Sequence, residues 1–293
     1  MRKVAVITGV TSFLGRSIAK YLLSKGFIVF GIVRPDSEKK DRLSSITGLK
    51  TIEIDFDKLS SIDFDNFKID YKSNESKNIY KSDITFLHFG WGSTLDRDNF
   101  MKQMLNVDYS MKVLEFAKRL SAKRFIFAGS QAEYSKSAYG LAKKRFADVA
   151  IKNLKDTDMK FIHYRIFSIY GKEDRENSLI KELVRCCKED RDIDLSSCNY
   201  KWNFLYIDDF VKITYQFMTK DIETGTYDIA SDDTRLLKDY CIEVKSALSS
   251  DILLDFGKKE DSKETFAVPH IDKMIDAIGK FRFTDFRDGI KLV

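Results

Sequence analysis

Proline is nearly missing from this chain: Pro35 and Pro269 are the only two in 293 residues. No repeat and no low-complexity tract accompanies them, so no linker marks off separate modules. Cysteine is sparse as well. Cys186, Cys187, Cys198 and Cys241 stand in neither CxxC nor Cys/His metal spacing, and the adjacent pair is poorly placed to bridge itself. They read as reduced core thiols, and no metal site is expected. No apolar run reaches the roughly 20 residues of a spanning helix. The hydrophobic stretch after Met1-Arg2-Lys3 is too short for a signal segment, so a cytoplasmic protein without a membrane partner is expected. An excess of one charge is absent too. Fifty Lys and Arg against 45 Asp and Glu leave +5, in mixed order along the chain. That favours an ordinary solvated surface over a nucleic-acid groove, and the slight cationic bias suits a phosphorylated small molecule.

What is present is a 43% hydrophobic chain, long enough to bury a large core. Strand-like and helix-like segments alternate in its first half, the pattern of a parallel sheet covered on both faces. Strands are predicted at 3–8, 27–33, 50–54, 84–88, 124–128 and 160–164. Leu14, Ile18, Tyr21 and Leu22 share one helical face that Gly26 terminates, and longer helices are predicted over 101–120 and 139–154. Residues 57–81 read as a polar, lysine-rich excursion. After Ser168 shorter elements mix: helices over 178–187, 208–218 and 237–249, and strands near Ile193 and Phe204, at 226–229 and at 252–256. The expectation is a Rossmann-type, doubly wound α/β domain over 1–167 with a return segment near 203–220, and a smaller α+β domain over most of 168–293.

The most informative stretch is Thr8-Gly9-Val10-Thr11-Ser12-Phe13-Leu14-Gly15, where the first strand turns into the first helix. Free N–H groups at the turn and the positive helix end suit a pyrophosphate, provided no side chain blocks its approach. Gly9 supplies the tight turn and Gly15 the close packing of helix on strand. Ser12 replaces the middle glycine with a small side chain able to donate its hydroxyl. At the end of the second strand, where an NAD site usually places an acid for the ribose hydroxyl, stands Arg34, a partner for a 2′-phosphate. That favours NADP(H), while Asp36 keeps NAD open.

A second constellation lies downstream. Tyr139-Gly140-Leu141-Ala142-Lys143 puts a phenol and an ammonium one helical turn apart on one face. A nearby cation favours the phenolate, which can then trade a proton with a hydroxyl group. Ser130 closes the fifth strand at the carboxyl edge of the sheet, where such folds bind ligands, and can hydrogen-bond the same hydroxyl. Asn106, disfavoured mid-helix, invites a functional reading, and a buried hydrogen bond would account for it equally. Asp208 and Asp209 at a helix start read as cap and dipole partners.

In this order the motifs resemble the extended short-chain dehydrogenase/reductases of the NAD-dependent epimerase/dehydratase family, over nearly the whole chain. The loop at Gly9, Asp55, His88-Phe89-Gly90-Trp91, Asn106, Ser130 and the Tyr139/Lys143 pair carry the resemblance. Arg165 to Gly171 and Phe204 to Asp209 are similar to the family's later landmarks. The likeness is strongest to nucleotide-sugar 4-epimerases and 4-ketoreductases of the paratose and abequose synthase type, through Ala128-Gly129-Ser130-Gln131-Ala132-Glu133-Tyr134. It implies an oxidoreductase or isomerase acting at a sugar carbon, with Tyr139, Lys143, Ser130 and Asn106 as the catalytic group. Gly9, Thr11, Ser12, Phe13, Leu14, Gly15, Arg34, Asp55, Phe56, Phe89 and Gly90 would hold NADP or NAD, with Tyr139 and Lys143 also touching it. Trp91, Gln131, Ser168, Trp202 and Lys258 would line a nucleotide-sugar site, and a homodimer would form through the two long helices. Ser130 and Tyr139 stand only nine positions apart, and Trp202 replaces the arginine that usually grips the diphosphate. These departures keep a non-catalytic dinucleotide sensor or scaffold of the same fold as the alternative.

Overall fold

A computed structural model describes residues 2–61, 82–261 and 267–293. Most of the predicted excursion, 62–81, lies outside the described residues, as do 262–266. In chain order the strands and helices are β1 (Lys3–Thr8), α1 (Phe13–Ser24), β2 (Ile28–Val33), β3 (Lys50–Glu53), β4 (Asp83–His88), α2 (Phe100–Arg119), β5 (Arg124–Ala128), α3 (Ala138–Asn153) and β6 (Lys160–Ile166). They continue with β7 (Ser168–Tyr170), α4 (Leu179–Lys188), β8 (Ile193–Leu195), β9 (Lys201–Tyr206), α5 (Ile207–Thr219), β10 (Gly225–Ile229), β11 (Thr234–Leu236) and α6 (Leu237–Ala247). The last are β12 (Leu254–Phe256), α7 (Asp272–Ile278) and α8 (Phe286–Ile290).

Among the described residues a seven-stranded sheet runs β10-β6-β5-β4-β1-β2-β3. From β3 to β6 every neighbouring pair is parallel, with Thr8 level with His88 and Ala128 level with Tyr164. The order reverses between β1 and β4, which is the switch point where doubly wound sheets bind ligands at the carboxyl ends of their strands. β1 and β4 bury nearly every residue, as a strand covered on both faces must. Phe86, Phe125 and Phe161 stack across neighbouring strands at 5.5 and 5.9 Å, and Phe146 of α3 meets Phe127 edge-on at 4.6 Å. Each such buried ring contributes about 2–3 kcal/mol from area alone, so this aromatic file anchors α3 to the sheet.

The chain divides into two compact units. The first comprises Met1–Gly129, Ser137–Tyr164 and Met218–Thr226, and the second Ser130–Lys136, Arg165–Phe217 and Tyr227–Val293. The return segment of the first unit is thus Met218–Thr226, where Thr226 bonds His163 and Thr224 caps the amide of Phe161. The second unit contains a three-stranded sheet, β11-β9-β7, and a two-stranded one, β12-β8. Its core is again aromatic: Tyr170, Phe204, Tyr240 and Phe286 meet at 4.7–6.1 Å. Asp209 adds a bond the sequence reading missed, its buried carboxylate accepting from the amide and hydroxyl of Thr284.

Candidate active site

In the first unit the turn after β1 is closed by close approach of backbone to backbone. Gly9 adopts φ +69°, and a Cβ there would lie 2.6–2.7 Å from the backbone of Phe89 and Gly90 in the loop after β4. A Cβ on Gly15 would run into Gly9 and, at 2.8 Å, Val10. On Gly90 it would meet Phe56 at 2.9 Å and the Thr8 hydroxyl at 3.1 Å. A side chain at any of these places would force the turn away from the loop after β4 or from the start of α1, so this close packing requires glycine there. Ser12 is the N-cap of α1, accepting from the amide of Gly15, and the first turn holds no acid. Phe13 and Leu14 open that helix, and the Thr11 carbonyl accepts from the buried Arg16 guanidinium. These residues fit a dinucleotide: a positive helix end, a side-chain-free cradle and no competing carboxylate. Asp55 and Phe56 follow β3 half-buried, and Arg34 and Asp36 are exposed at the end of β2.

The loop after β4 is held by a directional chain of hydrogen bonds. The Gly90 amide donates to the Thr8 hydroxyl (3.1 Å), and the Ser110 hydroxyl donates to the Asn106 carbonyl (2.7 Å). His88 sits between them, Nδ1 2.7 Å from the Thr8 oxygen and Nε2 2.8 Å from the Ser110 oxygen. With Ser110 donating elsewhere, Nε2 carries the proton and Nδ1 accepts from Thr8, which assigns a neutral tautomer. Burial, then the charge of Lys143, pushes the His88 pKa down to about 3, in keeping with that assignment. Asn106 clamps Gly92 on both sides, accepting from its amide at 2.8 Å and donating to its carbonyl at 3.2 Å. Trp91 is fixed through its indole N–H, 2.9 Å from the buried Gln103 side chain.

On α3, capped by Ser137, Tyr139 and Lys143 share one buried face as their spacing predicts. The Lys143 ammonium donates to the carbonyl of Ala128 at the end of β5. It also lies 4.7 Å from the Trp91 ring, 5.2 Å from Phe127 and 5.3 Å from Tyr139. A buried cation needs such a shell of carbonyl and π faces to offset its lost hydration. Trp91 meets Tyr139 edge to face at 6.4 Å. The structure thus brings together Tyr139, Lys143 and Trp91, and separately Gly9, Phe56, Phe89 and Gly90, all within one unit.

The remaining predicted residues belong to the second unit. Ser130 caps the short 3-10 helix Gln131–Tyr134, its hydroxyl accepting from Ala132 and its amide donating to Glu133. Gln131 donates to Ser168 at 3.5 Å. Trp202, on β9, packs against Tyr200 and Phe204 at 6.0 and 6.3 Å, while exposed Lys258 pairs with Asp255 at 3.6 Å. Residue reading overlooked the hub of this unit: buried Asp228 accepts from Arg165 Nε (2.6 Å), the Tyr134 hydroxyl (3.1 Å) and the His270 amide (2.9 Å). Burial and then the charge of Asp228 raise the Tyr134 pKa to about 12. No local spacing announces this cluster, because its members come from strands and segments far apart in sequence. Among the described residues no group of three or more His, Cys, Asp or Glu is placed to hold a metal, and no helix is long and apolar enough to cross a membrane.

The fold and the cradle define a doubly wound α/β protein built for a dinucleotide. Residues 5–230 match the model of the NAD dependent epimerase/dehydratase family, and the chain belongs to that family. It is 25% identical over 237 residues to the CDP-abequose synthase of Salmonella muenchen, covering 78% of this chain and 74% of the relative. In structure it is similar to the UDP-glucose 4-epimerase of Thermotoga maritima, with a TM-score of 0.81 at 14% identity over 99% of this chain and 96% of that one. It is also similar to the UDP-N-acetylglucosamine 4-epimerase of Methanobrevibacter ruminantium, with a TM-score of 0.80 at 17% identity over 100% and 98%.

Proposed function

We propose that this chain is an NAD(P)-dependent epimerase or 4-ketoreductase of a nucleotide sugar, with Tyr139 as the proton carrier at the sugar hydroxyl. The observation that carries the reading is the Tyr139/Lys143 pair, buried on one helix face with the ammonium 5.3 Å from the phenol ring, in the unit that also holds the dinucleotide cradle. The relatives' names supply the substrate class, since they act on CDP- or UDP-linked sugars. Bound in the cradle, the nicotinamide would exchange reducing equivalents with the sugar carbon. The chain's own residues do the rest: Gly9, Ser12 and Gly15 leave the approach open, Lys143 favours the anionic phenol, and Trp91 walls one side of Tyr139. In this reading Ser130 and Asn106 complete the catalytic group, and Trp91, Gln131, Ser168, Trp202 and Lys258 would contact the nucleotide sugar.

Arg34, exposed at the end of β2, supports NADP(H) over NAD as the working cofactor. A cytoplasmic homodimer is part of the same reading. Met101 and Leu105 on α2 and Leu141 on α3 are 76%, 48% and 48% exposed, on the pair of helices expected to form the contact. The test is turnover: native protein incubated with NAD or NADP(H) and a panel of CDP- and UDP-sugars should give a new sugar or a change in nicotinamide absorbance. Tyr139→Phe should lose turnover by at least about a hundredfold while keeping cofactor affinity. Full turnover in that variant, or no conversion of any sugar by the native chain, overturns the proposal.

A further inference from the structure

Arg97 has no role in the account so far, yet the structure builds a place for it. Its guanidinium carbon lies 5.1 Å from the centroid of the Tyr139 ring, and its carbonyl accepts from the Tyr139 amide at 2.9 Å. The second bond satisfies one of the donors a helix leaves unpaired in its first turn, so the segment before α2 docks on the start of α3. That segment is braced along its length. Gln103, buried in α2, holds the Trp91 indole and donates to the carbonyls of Ser93 and Asp96. The Asp96 carboxylate is engaged by Lys102 at 2.8 Å. Arg97 is therefore held over the ring by a fastened segment.

Resting on the acid/base role proposed for Tyr139, we propose that Arg97 is a positioning residue for it: the guanidinium holds the phenol ring and, with Lys143, favours its anionic form. A cation on an aromatic face is drawn to the π cloud, and more strongly when phenolate charge spreads into the ring. Two cations then act on Tyr139, Lys143 from its own helix and Arg97 from the segment before α2. From β4, His88 feels Lys143 but is itself uncharged. A guanidinium suits the position because it is planar and stays charged across the working range of pH.

The test is an ultraviolet difference titration of the whole protein saturated with NAD or NADP, whichever binds tighter, read at the phenolate band. The chain has 13 tyrosines, so the Tyr139→Phe titration is subtracted to isolate one phenol. Arg97→Met keeps the stem and removes the charge, and Arg97→Lys returns a charge without the plane. The Tyr139 midpoint should rise by roughly one pH unit in Arg97→Met and recover at least about half of that in Arg97→Lys. The acid limb of the pH–rate profile should move with it. An unchanged midpoint in Arg97→Met, or an equal rise in both variants, overturns the proposal for Arg97 and leaves Tyr139 standing. Retained turnover in Tyr139→Phe instead removes the role of Tyr139 on which it rests.

Discussion

Replacing Gly9 or Gly26 with alanine separates two costs that usually travel together. Both glycines are left-handed, at φ +69° and +78°, so each alanine meets the same conformational penalty of about 1–2 kcal/mol. Gly26 closes α1, and a Cβ there meets nothing within 4 Å. At Gly9 the new carbon lies 2.6 Å from the Phe89 backbone, where ordinary contact begins at 3.4 Å. The loop after β4 must then retreat by about 0.8 Å, an overpacking cost of roughly 1–3 kcal/mol on top of the first. Gly9→Ala is therefore expected to lose about 2–5 kcal/mol and Gly26→Ala about 1–2 kcal/mol, measured by urea unfolding under identical conditions. Because the retreating loop carries Phe89 and Gly90, NAD affinity should fall at least about tenfold in Gly9→Ala and stay level in Gly26→Ala. Equal losses in the two variants, with cofactor affinity untouched in both, would refute the reasoning from close approach.

Other consequences can be measured independently. His88 is held neutral, with its pKa lowered from 6.5 to about 3, so its contribution is complete above the unfolded value and is lost as pH falls. Stability should decline by up to about 1.4 kcal/mol per pH unit below roughly pH 6, and His88→Gln should flatten that slope in unfolding curves. Asp228 is buried under Arg165, Tyr134 and the His270 amide; Asp228→Ala should cost about 3–5 kcal/mol in denaturant titrations, and Asp228→Asn less, since the amide still accepts. For the homodimer proposed above, Leu105→Glu on the exposed stretch of α2 should leave only monomer in sedimentation at micromolar protein, whereas Leu253→Glu, on another exposed leucine, should not.

Much of the first unit was legible in the residues because β1, β2, β4, β5 and β6 are buried runs and its helices amphipathic, patterns set by neighbours in sequence. The glycine loop and the Tyr139/Lys143 pair were legible for the same reason: their spacing is local. Three-residue strands such as β7 and β11, and the short helices α7 and α8, carry too little periodicity to be read. What joins distant segments was hidden altogether. Nothing near His88 names Thr8 and Ser110 as its partners, nothing near Tyr139 points to Arg97, and Asp228 gathers Arg165, Tyr134 and His270 from three places. Ser130, expected to close the fifth strand, stands two residues past the end of β5 and spends its hydroxyl on a capping box that the run Ser130-Gln131-Ala132-Glu133 encodes and that a catalytic reading passed over.

The central claim is that the turn between β1 and α1 holds a dinucleotide. Calorimetric titration of the native chain with NAD and NADP, oxidised and reduced, tests it most directly, with Gly15→Val as the comparison. Saturable binding of at least one form to the native protein, abolished in Gly15→Val while the variant still melts cooperatively, is the predicted result. No heat from any of the four forms, or undiminished binding in Gly15→Val, would contradict it.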